Sequence, residues 1–284
     1  MAKIDLHMHS TYSDGALTPK ELIDYACEKG LKAISITDHD RANANKEAQI
    51  YAKKKGIEYV PGIEITITPP KGEKELHMVG LFIDSENEEI KNIPLRHKEY
   101  SIERSKAMIE KLNKLEYKIT FDEVMKETDG KHLGRPHIAK ILMRKYPEEF
   151  KERSQVFNKL LGNEGKAFVK AKGTEMKQAI DIIHNAGGIA LVAHPWYLGK
   201  NKIPILEDFV SLGGDGIELS NKPIEKIPEG TFETLKDFVN KHNIPISNGT
   251  DFHEKTEGGK EIGDYGITEE EFKKLKDYRD GRVK

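Results

Sequence analysis

Apolar and polar residues alternate at the start of the chain, with Ile4, Leu6 and Met8 set against Asp5, His7 and His9. A period of two is that of a strand, so His7 and His9 face the same side, about 7 Å apart. The period then lengthens to that of a helix. Leu22, Ile23, Ala26 and Cys27 fall on one face, with Thr18 placed to cap it, Pro19 at its first position and Gly30 at its end. The two rhythms keep exchanging. Strands are predicted near 3–8, 33–36, 57–60, 63–68, 76–83, 189–193, 215–219 and 245–248. Helices are predicted near 18–29, 43–55, 175–186, 204–212, 231–242 and 268–280. Repeated strand–helix units with apolar strands predict an α/β fold whose parallel strands close into a barrel. Residues 86–172 break the pattern: they are helical and heavily charged, with no strand before Ala167-Phe168-Val169. They read as an insertion that caps a barrel made of 1–85 and 173–284.

Composition narrows the function classes. The 284 residues are enough for one large core. With 46 basic against 48 acidic residues the net charge is -2, which argues against strong non-specific binding of long nucleic acid but leaves room for a local basic pocket. One cysteine, Cys27, sits in a helical pattern and permits no disulfide framework, as expected of a reducing cytoplasm. The chain opens on a strand without a leader-like segment, and no apolar run approaches about 18 residues, so no membrane role is expected.

Candidate chemistry gathers at strand ends. His7 and His9 end the first strand, with Asp14 just beyond; Asp38, His39 and Asp40 end the second. Glu64 follows in Gly62-Ile63-Glu64, His77 in Leu76-His77-Met78, His194 in Ala193-His194-Pro195, and Asp251 and His253 in Gly249-Thr250-Asp251-Phe252-His253. Each alone has an ordinary reading as a turn residue, a solvated acid or a core histidine. Together they are mixed imidazole and carboxylate ligands at successive strand ends, which suits divalent Mn, Fe or Zn in a site of two or three ions with a bridging carboxylate. Asp38, beside a ligand, reads as a residue that orients an imidazole or handles a proton, or else as a strand-end hydrogen-bond acceptor. His97, His132, His184 and His242 read as surface residues, and Trp196 as pocket lining or packing.

The stretches DLHMHSTYSDG (5–15), ITDHD (36–40), GIEI (62–65), HMVG (77–80), AHP (193–195) and GTDFH (249–253) resemble, in order, the PHP (polymerase and histidinol phosphatase) family. The resemblance implies a distorted (β/α)7 barrel with up to three metals. It implies a first ion held by His7, His9, Glu64 and Asp251, a second by Glu64, His77 and His194, and a third by Asp14, His39 and His253. Within the insertion, Gly134-Arg135-Pro136-His137-Ile138-Ala139 resembles the subgroup that dephosphorylates AMP and nucleoside 3',5'-bisphosphates. It implies that Arg135 holds a phosphate by paired hydrogen bonds, with His137 as a further contact, and the likeness of Leu161-Gly162-x-x-Gly165-x-Ala167-Phe168-Val169-Lys170 to the next stretch of the same subgroup adds Lys170. Arg41-Ala42-Asn43, Ser220-Asn221-Lys222-Pro223 and Glu254-Lys255-Thr256 depart from that subgroup without touching a ligand, and leave the leaving group open. The implied activity is hydrolysis of a phosphomonoester, on a nucleotide or the 5' end of a short oligonucleotide. The alternatives are histidinol-phosphate phosphatase, an amidohydrolase, which would need a bridging lysine where Glu64 stands, and a metal-stabilised module without activity.

Overall fold

The computed structural model describes residues 3–70, 76–128, 133–162, 164–170, 172–220, 224, 227–255 and 260–282. His132, Asn221-Lys222-Pro223 and Thr256 lie outside them. The described strands are β1 (Ile4–Asp5), β2 (Ala33–Ile34), β3 (Glu58–Tyr59), β4 (Gly62–Thr66), β5 (His77–Leu81), β6 (Ile189–Val192), β7 (Gly216–Glu218) and β8 (Ile246–Ser247). The α-helices are α1 (Pro19–Glu28), α2 (Asn45–Lys55), α3 (Glu88–Lys114), α4 (Phe121–Glu127), α5 (Arg135–Lys145), α6 (Arg153–Val156), α7 (Met176–Asn185), α8 (Lys202–Ser211), α9 (Thr231–His242) and α10 (Glu269–Arg282). The helix starts follow local chemistry. The Thr18 side chain accepts from the Glu21 amide while Glu21 accepts from the Thr18 amide, and Pro19 occupies the first position of α1, where its missing N–H costs nothing.

The chain forms two compact units, Met1–Ile93 with Thr174–Lys284, and Pro94–Gly173. The breaks predicted at 85/86 and 172/173 move to 93/94 and 173/174 because Ile90 and Ile93, at the start of α3, are buried in the core of the first unit.

In the first unit β1, β2 and β3 pair in parallel. A second sheet runs β4-β5-β6-β7-β8. Here the all-parallel expectation fails: β5 is antiparallel to both β4 and β6, while β6, β7 and β8 are parallel. Among the described residues no helix separates β4 from β5, and without a crossover the next strand returns alongside its neighbour. The sheets meet at two places. The tail of β1 bonds to the stretch after β8 through Leu6 N to Asn248 O (3.2 Å), Asp251 N to His7 O (2.8 Å) and His9 N to Phe252 O (2.8 Å). The tail of β2 bonds to β4 through Glu64 N to Asp38 O (3.2 Å) and Asp40 N to Glu64 O (2.7 Å). Strands β4 and β6 are buried on both faces. Ile63, Ile65 and Val192 pack with Ile180, Ile183, Phe209 and Phe238 of the helices, and Leu191 packs with Leu6 and Val79. Covered faces explain why β6 reads as an unbroken apolar run and why β4 is apolar except at Glu64 and Thr66.

The second unit is helical among its described residues, and Ala167-Phe168-Val169 forms no strand. Its own core joins Met108 and Leu112 of α3 to Ile138 and Leu142 of α5, with Leu160 and Ala167. His97, expected at the surface, is only 7% exposed on α3, with its ring edge-on to Tyr100. No helix among the described residues is long and apolar enough to cross a membrane.

Candidate metal centre

Glu64 is the centre of the site, fully buried at the midpoint of β4. Its Oε1 lies 3.1 Å from His77 Nδ1 and 3.0 Å from His194 Nε2. Its Oε2 lies 3.1 Å from His39 Nδ1, 3.2 Å from His9 Nε2 and 3.3 Å from His7 Nε2. One carboxylate thus faces five imidazoles from four segments that are distant in sequence. Asp251 Oδ1 completes a group with His7 Nε2 (3.5 Å) and His9 Nε2 (3.1 Å). Asp14 faces His9 Nδ1 (3.6 Å), His253 Nε2 (3.4 Å) and His39 Nε2 (3.8 Å). The nine residues expected as ligands are therefore together. His9 and His39 each stand between two groups, one ring nitrogen toward Glu64 and the other toward Asp14.

The fold explains how each arrives. His7 and His9 share a face of the extended tail of β1, as their spacing requires. His194 and Asp251 follow β6 and β8 in left-handed backbone, at φ 33° and 52°. Such conformations are costly for side-chain-bearing residues and persist where surrounding structure imposes them, often at functional sites. His77 differs from expectation: it begins its strand. Because β5 is antiparallel, pairing of His77 with Thr66 and Met78 with Val192 puts the start of β5 beside the ends of β4 and β6. Glycine brings the loops close. A Cβ on Gly249 would fall 2.2 Å from His7 N, and one on Gly15 would fall 2.1 Å from His9 O.

The electrostatics are those of a cluster that asks for positive charge. Burial opposes protonation of His7, yet Glu218, Glu64 and Asp251 outweigh it and hold its pKa well above the ordinary 6.5. His9, buried too, is pushed up to about 9 by the Asp251 and Glu64 carboxylates beside it, which outweigh its burial. His39 is pushed down to about 4 by burial, with His9 and His77 adding to that effect against the pull of Glu64. Burial would raise Glu64, Asp251 and Asp14, but the surrounding imidazoles hold all three well below the usual carboxylate range.

Two observations test whether these residues fit divalent cations. Among the described residues, His9 Nδ1 and Glu64 Oε2 are buried and have no hydrogen-bond partner, a costly state for the protein alone. The Nε2 atoms of His7 and His9 stand 3.1–3.5 Å from the facing oxygens of Glu64 and Asp251. Ligands at about 2.0–2.1 Å from one tetrahedral ion would be separated by roughly 3.3–3.4 Å. The residues fit.

Other expected residues are placed differently. Asp38 is buried, and its carboxylate accepts from Ser10 N, Ser10 Oγ and Ser13 Oγ, each at 2.7 Å. It meets the loop that carries Asp14 rather than an imidazole. Asp40 accepts from the Thr66 amide and hydroxyl. In the second unit His137 Nδ1 accepts from Gly134 N (3.2 Å), which fixes the start of α5 and leaves Nε2 outward of that bond. Arg135 is half-buried, its guanidinium over the Phe157 ring, and Lys170 is exposed. Of the histidines read as surface, His184 and His242 are half-buried, paired with Asp215 and Glu207.

Sequence reasoning missed Glu218, at the end of β7. It is 2% exposed, with Oε1 2.8 Å from His7 Nδ1 and Oε2 accepting from His194 N at 2.8 Å. A signal existed. Gly216-Ile217-Glu218-Leu219 repeats the pattern of Gly62-Ile63-Glu64-Ile65, an acid set in an apolar strand.

Comparison with known proteins is consistent with this geometry. The PHP domain matches residues 5–187. A 5'-3' exoribonuclease of Haemophilus influenzae is 34% identical over 254 residues, 88% of this chain and 90% of that protein. A 3',5'-nucleoside bisphosphate phosphatase of Chromobacterium violaceum is 32% identical over 267 residues, 93% of this chain and 91% of that protein. A solved structure described as an amidohydrolase from Chromobacterium violaceum, with bound sulfate and no metal, superposes with a TM-score of 0.76 at 28% identity, covering 98% of this chain and 97% of that one.

Proposed function

We propose, from the premise that this chain belongs to the PHP domain family, that it is a metal-dependent phosphoesterase that removes phosphate from a nucleotide such as AMP or a nucleoside 3',5'-bisphosphate. The observation that carries the reading is Glu64, a buried carboxylate with one orphaned oxygen among imidazoles on both its sides. Two to three ions of Mn, Fe or Zn suit these donors. His7, His9, Glu64 and Asp251 would hold one, Glu64, His77 and His194 a second, and Asp14, His39 and His253 a third. Bound there, such ions would grip phosphate oxygens, lower the pKa of water toward neutrality and offset the charge that builds during displacement.

The protein's own groups do the rest. Asp38 holds the loop that presents Asp14. Arg135 grips a phosphate, His137 adds a hydrogen bond from Nε2 or a proton for the leaving alcohol, and Lys170 adds charge. The paired strands and their two junctions support a distorted (β/α)7 barrel as the carrier of the metals, with the helical unit as its insertion. A chain with one half-buried thiol suits a reducing cytoplasm.

A second reading, action at the 5' end of a short oligonucleotide, is favoured by the likeness to the exoribonuclease. The amidohydrolase alternative lacks its bridging lysine. The test is a panel of AMP, a 3',5'-bisphosphate, a 5'-phosphorylated trinucleotide, histidinol phosphate and an amide, with protein reconstituted in Mn. Fastest turnover of a nucleotide supports the proposal. Turnover of histidinol phosphate or the amide alone overturns it.

A further inference from the structure

The strongest group outside the nine expected ligands is Glu218. Its two oxygens have different partners: Oε1 takes the His7 Nδ1 proton and Oε2 takes the His194 amide, both at 2.8 Å. The first contact settles which nitrogen of His7 is free. With Nδ1–H donated to Glu218, the imidazole presents Nε2 toward His9, Glu64 and Asp251. Histidine ligands commonly donate their second nitrogen to a carboxylate, which fixes the tautomer, orients the ring and makes the ligating nitrogen more basic. The second contact acts on backbone. His194 stands at φ 33°, and its N–H donates to Glu218 at the start of that turn. Beyond it, Nε2 of the same residue reaches Glu64 Oε1.

We infer that Glu218 is a positioning residue that aligns His7 and His194 at once, and so ties one ligand group of Glu64 to the other. This rests on the metal-dependent reading above. The carboxylate form is required for it. A carboxylate accepts from both donors, whereas a carboxamide has one accepting oxygen and must turn its NH2 toward the other N–H.

The experiment measures metal binding, with activity as a secondary readout. Wild type, Glu218→Gln and Glu218→Ala are titrated with Mn and with Zn against a chromophoric chelator, and the absorption spectrum of each protein loaded with Co is recorded. Glu218→Ala is expected to weaken binding by roughly 10- to 100-fold and to alter the Co spectrum. Glu218→Gln, nearly isosteric, is expected to fold and to fall between the two. Affinities of both variants within about twofold of wild type, with an unchanged Co spectrum, would overturn the assignment. If Ala fails to fold, the Gln variant decides alone by the same criteria. Wild type that binds no metal would overturn the metal-dependent reading instead, so the two failures are distinguishable.

Discussion

At the scale of single residues, the site separates side chains that bind cations from those expected to bind substrate. Glu64→Gln removes the charge shared by both ligand groups and turns an NH2 toward imidazole nitrogens. It is expected to lose metal and activity together while the circular dichroism of the fold persists, because the packed core lies on the strands' apolar residues. Near-native turnover would show that Glu64 does not bridge. Arg135→Ala is expected to leave metal content unchanged and to lower kcat/KM for a nucleotide by roughly ten- to a hundredfold, the effect of losing a charge-assisted contact of about 1.5–3 kcal/mol. Unchanged kcat/KM across the phosphoester panel would remove Arg135 from the substrate contacts. The half-burial of Arg135 over Phe157 means part of any loss can be packing, so thermal stability is measured alongside.

At the scale of elements, one reversed strand decides how the ligands converge. Were β5 parallel to β4, His77 would stand at the far end of the sheet from Glu64; antiparallel pairing brings it to 3.1 Å. A different cluster holds elements together without ligands. Asp215, fully buried just before β7, accepts from Ala190 N (2.7 Å), His184 Nε2 (2.7 Å), Tyr278 OH (3.2 Å) and Arg282 Nη1 (2.8 Å). It fastens α7 and α10 to the start of β6. A group placed at the beginnings of the strands, away from the metal ligands, serves stability rather than chemistry. Asp215→Ala strands a cation and several donors, so denaturant unfolding should show a loss of about 3–5 kcal/mol. Metal content of the folded fraction should match wild type. A loss below about 1 kcal/mol would show that water replaces the carboxylate readily.

At the scale of the whole molecule, cations and stability are linked, because an ion bound only by the folded chain stabilises it by mass action. Free metal at about a hundred times its Kd contributes about 2.7 kcal/mol per site, which shifts Tm by roughly 4–5 °C per site for a chain of this size. Chelation with EDTA is expected to lower Tm by that much for each ion removed and to abolish turnover, and added Mn to restore both. Full activity after exhaustive chelation would remove the cations from the reaction.

Much of this was legible in the sequence, and the reason is local. The alternation around His7 and His9, the capping of α1 by Thr18 and Glu21, and the apolar run of β6 depend on neighbours a few residues away. So do the short stretches that carry the nine expected ligands. What only the tertiary structure decided depends on residues brought together from far apart. The reversal of β5 is fixed by its antiparallel pairing with β4 and β6, the latter more than a hundred positions away in the chain. Asp38 turns to Ser10 and Ser13 because the first loop folds over it. Glu218 reaches His7 across 211 positions, and no periodicity within a strand of three residues encodes which donor a buried carboxylate will meet. Periodicity determines the face a side chain occupies; closure of the chain determines what stands opposite it.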